Sequence, residues 1–444
     1  MSTEKISTDD LLRPINWTSR RWFIMVALGV ILTGIWMAAW SYQLYHGLIV
    51  TNLSDWGTGG GSTWGLYIGA FIWWVGIAHG GIILSAAVRL VGLDLYKPVA
   101  RLAELLTLGA LSMAGMYIVV HVGRPDRIVT SIIPAYITTV QTSPLIWDVT
   151  VITLYFVMTA TYLGLTLRYD ISRMRDDLPD IFSPIYSLLT IGYSEKEDEV
   201  VERMVWWLAL AVIVLAPLLL HGGVIPWLFA LIPTMPGWFG AVQGPQFLTI
   251  ALTSAIAGVI ILAYAFRFAY DWDHIFTNEV FRGLTLWLGL FTLLFLWLQL
   301  QQVLGGVYAP SLDKLHATEA KLHNPAYIIA ISTAVLVLSY IFAQAVRKSV
   351  FSLERSLIAS FAILGATLTE KTLFVIEGPL HPTFDIYRAV PGTYVPSPIE
   401  IMSLVGTVAM AALFFLFIAK VIPVVELHVA EESQHEAAET EVDA

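Results

Sequence analysis

Long apolar runs of 22 to 28 residues alternate along this chain with short polar stretches. Ten runs reach the roughly 20 residues needed to cross a bilayer. They cover 22–47, 64–91, 98–123, 144–168, 203–225, 246–270, 281–305, 325–346, 354–377 and 398–422. Backbone groups in lipid must be satisfied within each segment, so every run predicts a helix. The expected fold class is an all-α integral membrane protein with ten transmembrane helices. Aromatic residues such as Trp17, Trp22, Trp64, Trp238 and Trp272 fall near run ends, where interface anchors belong. The runs define a membrane domain over 22–425, preceded by a polar segment 1–21 that does not read as a cleaved signal. It is followed by an acidic tail, 426–444, expected to be disordered.

Composition agrees with the pattern. Hydrophobic residues make up 57% of the 444 and charged residues 13%, against about 25% charged in soluble domains. The absence of cysteine excludes disulfides and cysteine-ligated iron–sulfur or zinc sites in this chain. With the N-terminus inside, eighteen of the 24 Lys and Arg lie on the inner side and five on the outer side. That bias predicts cytoplasmic termini and a multi-pass protein of the inner (cytoplasmic) membrane.

A constant offset of 178 relates the second run to the sixth. It carries Gly80, Ile82, Ile83, Leu84, Ala87 and Arg89 onto Gly258, Ile260, Ile261, Leu262, Ala265 and Arg267. It also carries Leu106-Thr107-Leu108 onto Leu284-Thr285-Leu286, and Pro144 and Pro325 open the next helix in each half. Two related four-helix bundles are therefore expected, over about 64–225 and about 246–377. The exceptions carry information. His79 faces Ala257, Glu104 faces Arg282 and Asp148 faces Ile329, so the first half keeps the titratable groups.

Ionisable groups within apolar helices mark pathways or reaction sites. His121, Arg124, Asp148, His221, Glu370, Lys371 and Glu377 all map to the outer leaflet zone, while His79 and Glu104 lie deeper. Each has a plainer reading. Arg124 and Arg127 can anchor to headgroups, and Asp148 can complement a helix dipole. Glu370 and Lys371 are adjacent on one helix and are expected to diverge. His79 can be an interhelical hydrogen-bond partner, and Glu104 an ion-pair partner of Arg101. The glycine-rich run 57–62 lacks the following Lys-Ser/Thr of a phosphate loop.

A His beside an Asp under apolar walls suits proton-coupled chemistry at the two hydroxyls of a hydroquinone. Two strings, IVVHVGRPDR at 118–127 and TSPLIWDV at 142–149, resemble the quinol-binding membrane subunits of the polysulfide reductase (NrfD-like) family. RLAELLTL at 101–108 and AHGG at 78–81 are similar to it too, and the ten-helix layout looks closest to the members found in alternative complex III and related complexes. The resemblance implies an outer-side pocket for quinone or quinol, menaquinone first, with His121 and Asp148 catalytic. It adds Arg124, Glu370 and Lys371 as quinone-binding residues. Lys371 stands where the closest relatives look to have Arg, and HGGVIPWLFAL after the fifth run lacks an acid that some relatives carry.

The expected role is a quinol-oxidising or quinone-reducing subunit of a respiratory oxidoreductase complex, not active alone. Partners implied by the resemblance are an extracytoplasmic iron–sulfur protein and a molybdenum-type or cytochrome c protein, with no nucleic acid. The chain itself is expected to bind no haem, iron–sulfur cluster or other metal. His79 and Glu104 are the candidates for a proton pathway. Two alternatives use the same features. A dihaem cytochrome b-type anchor needs paired axial histidines on facing helices, whereas His79, His121 and His221 sit at different depths. A proton-coupled secondary transporter would use the repeat, but needs broken helices at the midplane.

Overall fold

The computed structural model describes residues 6–53, 62–139, 144–219, 225–308, 311–383 and 394–442. Within them the chain is helical, with no strand. In order the helices are α1 (Thr8–Asn16), α2 (Arg20–His46), α3 (Leu66–Val91), α4 (Lys97–His121), α5 (Ile133–Thr139) and α6 (Pro144–Arg173). There follow α7 (Ser183–Leu189), α8 (Asp198–Leu219), α9 (Ile225–Ala230), α10 (Gln243–Tyr270) and α11 (Asn278–Val307). The remainder are α12 (Leu312–His323), α13 (Pro325–Val346), α14 (Leu353–Leu380), α15 (Pro398–Ile418) and α16 (Leu427–Val442).

Local sequence explains the boundaries. Ser19, Thr277, Ser352 and Ser397 each accept a hydrogen bond from a first-turn backbone N–H, and Glu400 completes a capping box with Ser397. Pro98, Pro325 and Pro398 sit in first turns, where their missing N–H costs nothing. Gly92 ends α3 at φ +70°, a left-handed position that favours glycine.

Nine described helices are long and apolar enough to span a membrane: α2, α3, α4, α6, α10, α11, α13, α14 and α15. The described part of α8 stands where the fifth of the ten runs was expected. His221 and the glycine-rich run up to residue 61 lie outside the described residues.

The repeat is architectural. In the first bundle α3 packs on α4 and α8, and α6 packs on α4 and α8. In the second, α10 packs on α11 and α14, and α13 packs on α11 and α14. The bundles meet through α3 against α10, with α14 also crossing onto α3. Helix α3 is consequently the most buried span. Helices α2 and α15 form a pair against the first bundle, and Phe23, Ile24 and Ile31 of α2 stay exposed as a lipid face.

Two features depart from the sequence pattern. The tail expected to be disordered is helical over Leu427–Val442 and docked. Lys97 binds Glu432, Tyr169 donates to Glu431, and the Ile6 N–H donates to Ser433. Polar partners from separate segments outweigh the solvation that would keep an acidic chain loose. The second departure is the segment after α4, where a short π-helical turn over Ile128–Ile132 leads into α5 and leaves Val129, Ile133 and Ile137 exposed.

Close approach of α3 and α10 depends on Gly80. A Cβ there would collide with the Ala251 carbonyl oxygen and the Ala255 methyl. Gly80→Val is expected to cost about 1–3 kcal/mol through overpacking, read as a lowered midpoint of thermal aggregation in detergent. Gly34→Val on α2, where nothing lies within 4 Å, is expected to leave the midpoint unchanged.

Candidate functional site

Helix directions give the bundle two ends. His121 closes α4 and Asp148 lies in the first turns of α6, so both stand at the same end of the first bundle, where α4 and α6 pack together. Arg89, Arg101 and Asp170 lie at the opposite end.

At the His121 end, α2 and α3 supply a polar brace. The Tyr67 hydroxyl donates to Gln43 Oε1 at 2.6 Å, and Gln43 Nε2 donates to the Val120 carbonyl at 3.0 Å. The Tyr67 ring stands edge-on to His121, with centroids 6.4 Å apart. His121 Nδ1 and Asp148 Oδ1 are both buried and have no hydrogen-bond partner among the described residues. A buried polar atom left unpaired costs about 1–3 kcal/mol, which makes this end of the first bundle a candidate site. Arg124 does not join them. Its side chain is 66% exposed and forms a bidentate pair with Asp126, with Nε–Oδ1 2.9 Å and Nη2–Oδ2 2.8 Å.

Glu370 and Lys371 sit elsewhere. They pair at 3.4 Å, against the expectation that neighbours on a helix diverge. The lysine ammonium also lies over the Phe247 ring, 3.3 Å from the centroid. Glu370 Oε1 also accepts from Gln299 at 2.7 Å and from Gln246 at 3.3 Å, with Lys321 at 3.8 Å. The Tyr327 hydroxyl donates to Gln299 Oε1. These partners come from α10, α11, α12 and α13, so this is a second-bundle cluster. Sequence reading passed over Gln246, Gln299, Lys321 and Tyr327. The repeat held the signal for one of them, since the offset of 178 carries His121 onto Gln299.

Between the ends, the first bundle carries a polar file. Asp148, Tyr155, Thr159 and Tyr162 share one face of α6 at helical spacing. The hydroxyls of Tyr155, Thr159 and Tyr162 are buried without a hydrogen-bond partner among the described residues. His79 Nδ1 lies 2.7 Å from the Val75 carbonyl oxygen, to which it donates, and its ring centroid is 4.3 Å from that of Tyr155. Farther along, Ser85 donates to Glu104 Oε1 at 2.7 Å and Arg89 Nη2 lies 3.4 Å from the same oxygen. Glu104 is thus held by Ser85 and Arg89 on α3. Arg101, its expected partner, forms a short buried pair with Asp170 instead. Glu377, at the His121 end of α14, faces His381 at 3.7 Å. No group of three or more potential metal ligands occurs among the described residues.

The profile of the polysulphide reductase NrfD family matches residues 56–319, more than half of the chain. The chain belongs to this family. The family match takes in the whole first bundle and continues into α12, whereas Glu370, Lys371 and Glu426 lie beyond it. The NrfD chain is 32% identical over 256 residues to a putative dimethyl sulfoxide reductase membrane subunit of Halobacterium salinarum, covering 57% of this chain and 53% of that protein. It therefore spans about half the length of that relative. It is 21% identical over 380 residues to a selenate reductase subunit of Mesobacillus selenatarsenatis, covering 82% of this chain and 86% of the relative. Members of the NrfD family are quinone-interacting membrane subunits of reductase complexes.

The two ends of the repeat predict opposite responses to mutation. Gln299→Leu removes donors and acceptors from Glu370 and Tyr327 and is expected to destabilise by about 1–3 kcal/mol. His121→Leu removes a nitrogen that has no partner among the described residues and is expected to be near neutral or stabilising. Thermal unfolding of the two purified variants compares them, and an equal loss in both would show His121 to be held as firmly as Gln299.

Proposed function

We propose that this NrfD-family chain is the quinol-oxidising membrane subunit of a reductase complex, with the headgroup bound between His121 and Asp148. The observation that carries the reading is the pair of buried, unpartnered polar atoms at one end of the first bundle, His121 Nδ1 and Asp148 Oδ1. Their counterparts by the repeat are Gln299, which is fully engaged, and Ile329, which is apolar.

The chemistry follows from the groups. A hydroquinone has two hydroxyls on opposite ring carbons. One hydroxyl donates to the His121 imidazole and the other to the Asp148 carboxylate. Oxidation to the quinone releases two protons to these groups and two electrons to a partner. Gln43 and Tyr67 fix the α4 end behind His121. The reductase names of both relatives favour this direction, in which quinol electrons leave through an extracytoplasmic iron–sulfur protein toward a molybdenum-type reductase. Menaquinol is the first donor to test. In this reading Arg124 marks the rim, and Glu370 and Lys371 form a separate second-bundle cluster rather than a wall of the headgroup pocket.

Eighteen of 24 basic residues on the Arg101 side favour a cytoplasmic Arg101 end and an external His121 end. The file from Asp148 through Tyr155, His79 and Tyr162 to Glu104 then runs across the membrane inside the first bundle, as a proton route would.

Two measurements test this. In the assembled complex, His121→Ala and Asp148→Asn are each expected to lower quinol turnover by about 100-fold or more, the range for a positioned acid–base group. Normal turnover in both sinks the site. Because the natural chain has no cysteine, a single Asp176→Cys reports sidedness. A membrane-impermeant maleimide is expected to label it only after permeabilisation, and labelling in intact spheroplasts would reverse the orientation.

A further inference from the structure

At the Arg101 end, five ionisable side chains form one cluster under the C-terminal segment. Arg89 comes from α3, Arg101 and Glu104 from α4, Asp170 from α6, and Glu426 from the residue preceding α16. Arg101 binds Asp170 in a short pair, and Arg89 binds Glu426 in another. Arg89 also reaches Glu104 at 3.4 Å, and Arg101 stands 3.9 Å from Glu426. Glu104, Arg101 and Asp170 are essentially inaccessible, Glu426 is 10% exposed and Arg89 22%. The cluster borders an open cavity of about 180 Å³ whose lining also includes Tyr169, Asp198, Glu202 and His428. Tyr162 adds its ring beneath Arg89 at 5.3 Å.

Charge count decides what this cluster does. Two guanidinium groups face three carboxylates. Arginine does not lose its proton in proteins, so a fully ionised cluster would leave one buried negative charge uncompensated. That state costs several kcal/mol in an apolar interior, and a carboxylate in this position takes a proton instead. Of the three carboxylates, Asp170 and Glu426 each have a short guanidinium contact. Glu104 has only the longer one, a hydroxyl donor from Ser85, and an Oε2 that is buried with no partner among the described residues.

We infer that Glu426, delivered by the C-terminal segment, makes Glu104 the stored-proton site of the first bundle. Glu426 acts on Glu104 as a positioning residue, by claiming Arg89. When Arg89 leans to Glu426, Glu104 keeps the proton, and when Arg89 leans to Glu104, the proton passes to Glu426, the carboxylate that then lacks the guanidinium. Burial works against ionised Glu426, but Arg89 and Arg101 hold its carboxyl below the usual range. Lys97, at the rim, is engaged by Asp94 and Glu432, and His428, also near Glu426, is engaged by Glu431, so neither competes. The inference deepens the proton route proposed above and rests on it for its purpose, though not for its charge count.

Infrared spectroscopy of the purified complex tests it through the C=O stretch of a protonated carboxyl group. The wild-type minus Glu104→Gln difference is expected to contain one such band, shifted by deuteration. In the Glu426→Gln background, which balances two cations with two anions, the same Glu104→Gln difference is expected to contain ionised carboxylate bands instead. Glu426→Asp keeps the charge and is expected to retain the protonated band. Asp170→Asn removes one negative charge from the opposite side and is expected to lose it, which keeps the test decisive if Glu426→Gln does not assemble. A protonated band that persists without Glu426, or none in the wild type, overturns the inference. Unaltered proton release by Glu104→Gln during quinol oxidation would instead sink the proton route while leaving the charge count standing.

Discussion

The cost of an uncompensated charge in an apolar interior organises this protein. Most buried ionisable groups in the described structure have an opposite charge or a set of donors within reach. Arg101 has Asp170, Arg89 has Glu426 and Glu104, and Glu370 has Lys371, two glutamines and a more distant lysine. Against that background Asp148 and His121 stand out, since no hydrogen bond or ion pair of either side chain occurs among the described residues. A membrane bundle tolerates such a group only where another contribution offsets it. In the proposed function, a headgroup that enters and leaves would supply that contribution during turnover.

The two bundles share a helix arrangement but carry different side chains at matching positions. The helix pairings within the bundles correspond, yet the position of His121 is Gln299 in the second half and that of Asp148 is Ile329. Gln299 is drawn into a closed hydrogen-bond network around Glu370, which stabilises. His121 is braced from behind through Gln43 and Tyr67, which orients the segment without occupying its ring nitrogens. The first bundle is also where polar hydroxyls continue inward along α6. Its opposite end is closed by residues brought from the far C-terminus.

Several elements were legible in sequence because they depend on local or periodic properties. Apolar run length gave the spans, Pro144 and Pro325 mark where two of them open, and the offset of 178 pointed to two bundles. Ionisable residues at run ends single out His121, Asp148, Glu370 and Lys371 as candidates. The pairing of the last two was misjudged because helix geometry separates adjacent Cβ atoms, while a lysine stem is long enough to return across that gap. The docking of the tail is not legible in sequence, because acidic composition reads as solvated. Nothing local reveals that Arg89 and Arg101, more than 300 residues away, await Glu426.

What the amino-acid sequence determined by itself, then, is everything set by the solvent. Each apolar run had to be a helix, nine of the described helices are long and apolar enough to span, and the basic residues favour one side. Tertiary structure decided which charge meets which. An ion pair or a hydrogen bond depends on a few ångströms between groups remote in sequence, and only packed helices fix those distances. Hence Arg124, close in sequence to His121, turns outward to Asp126, whereas Glu426 closes a cluster on helices α3, α4 and α6.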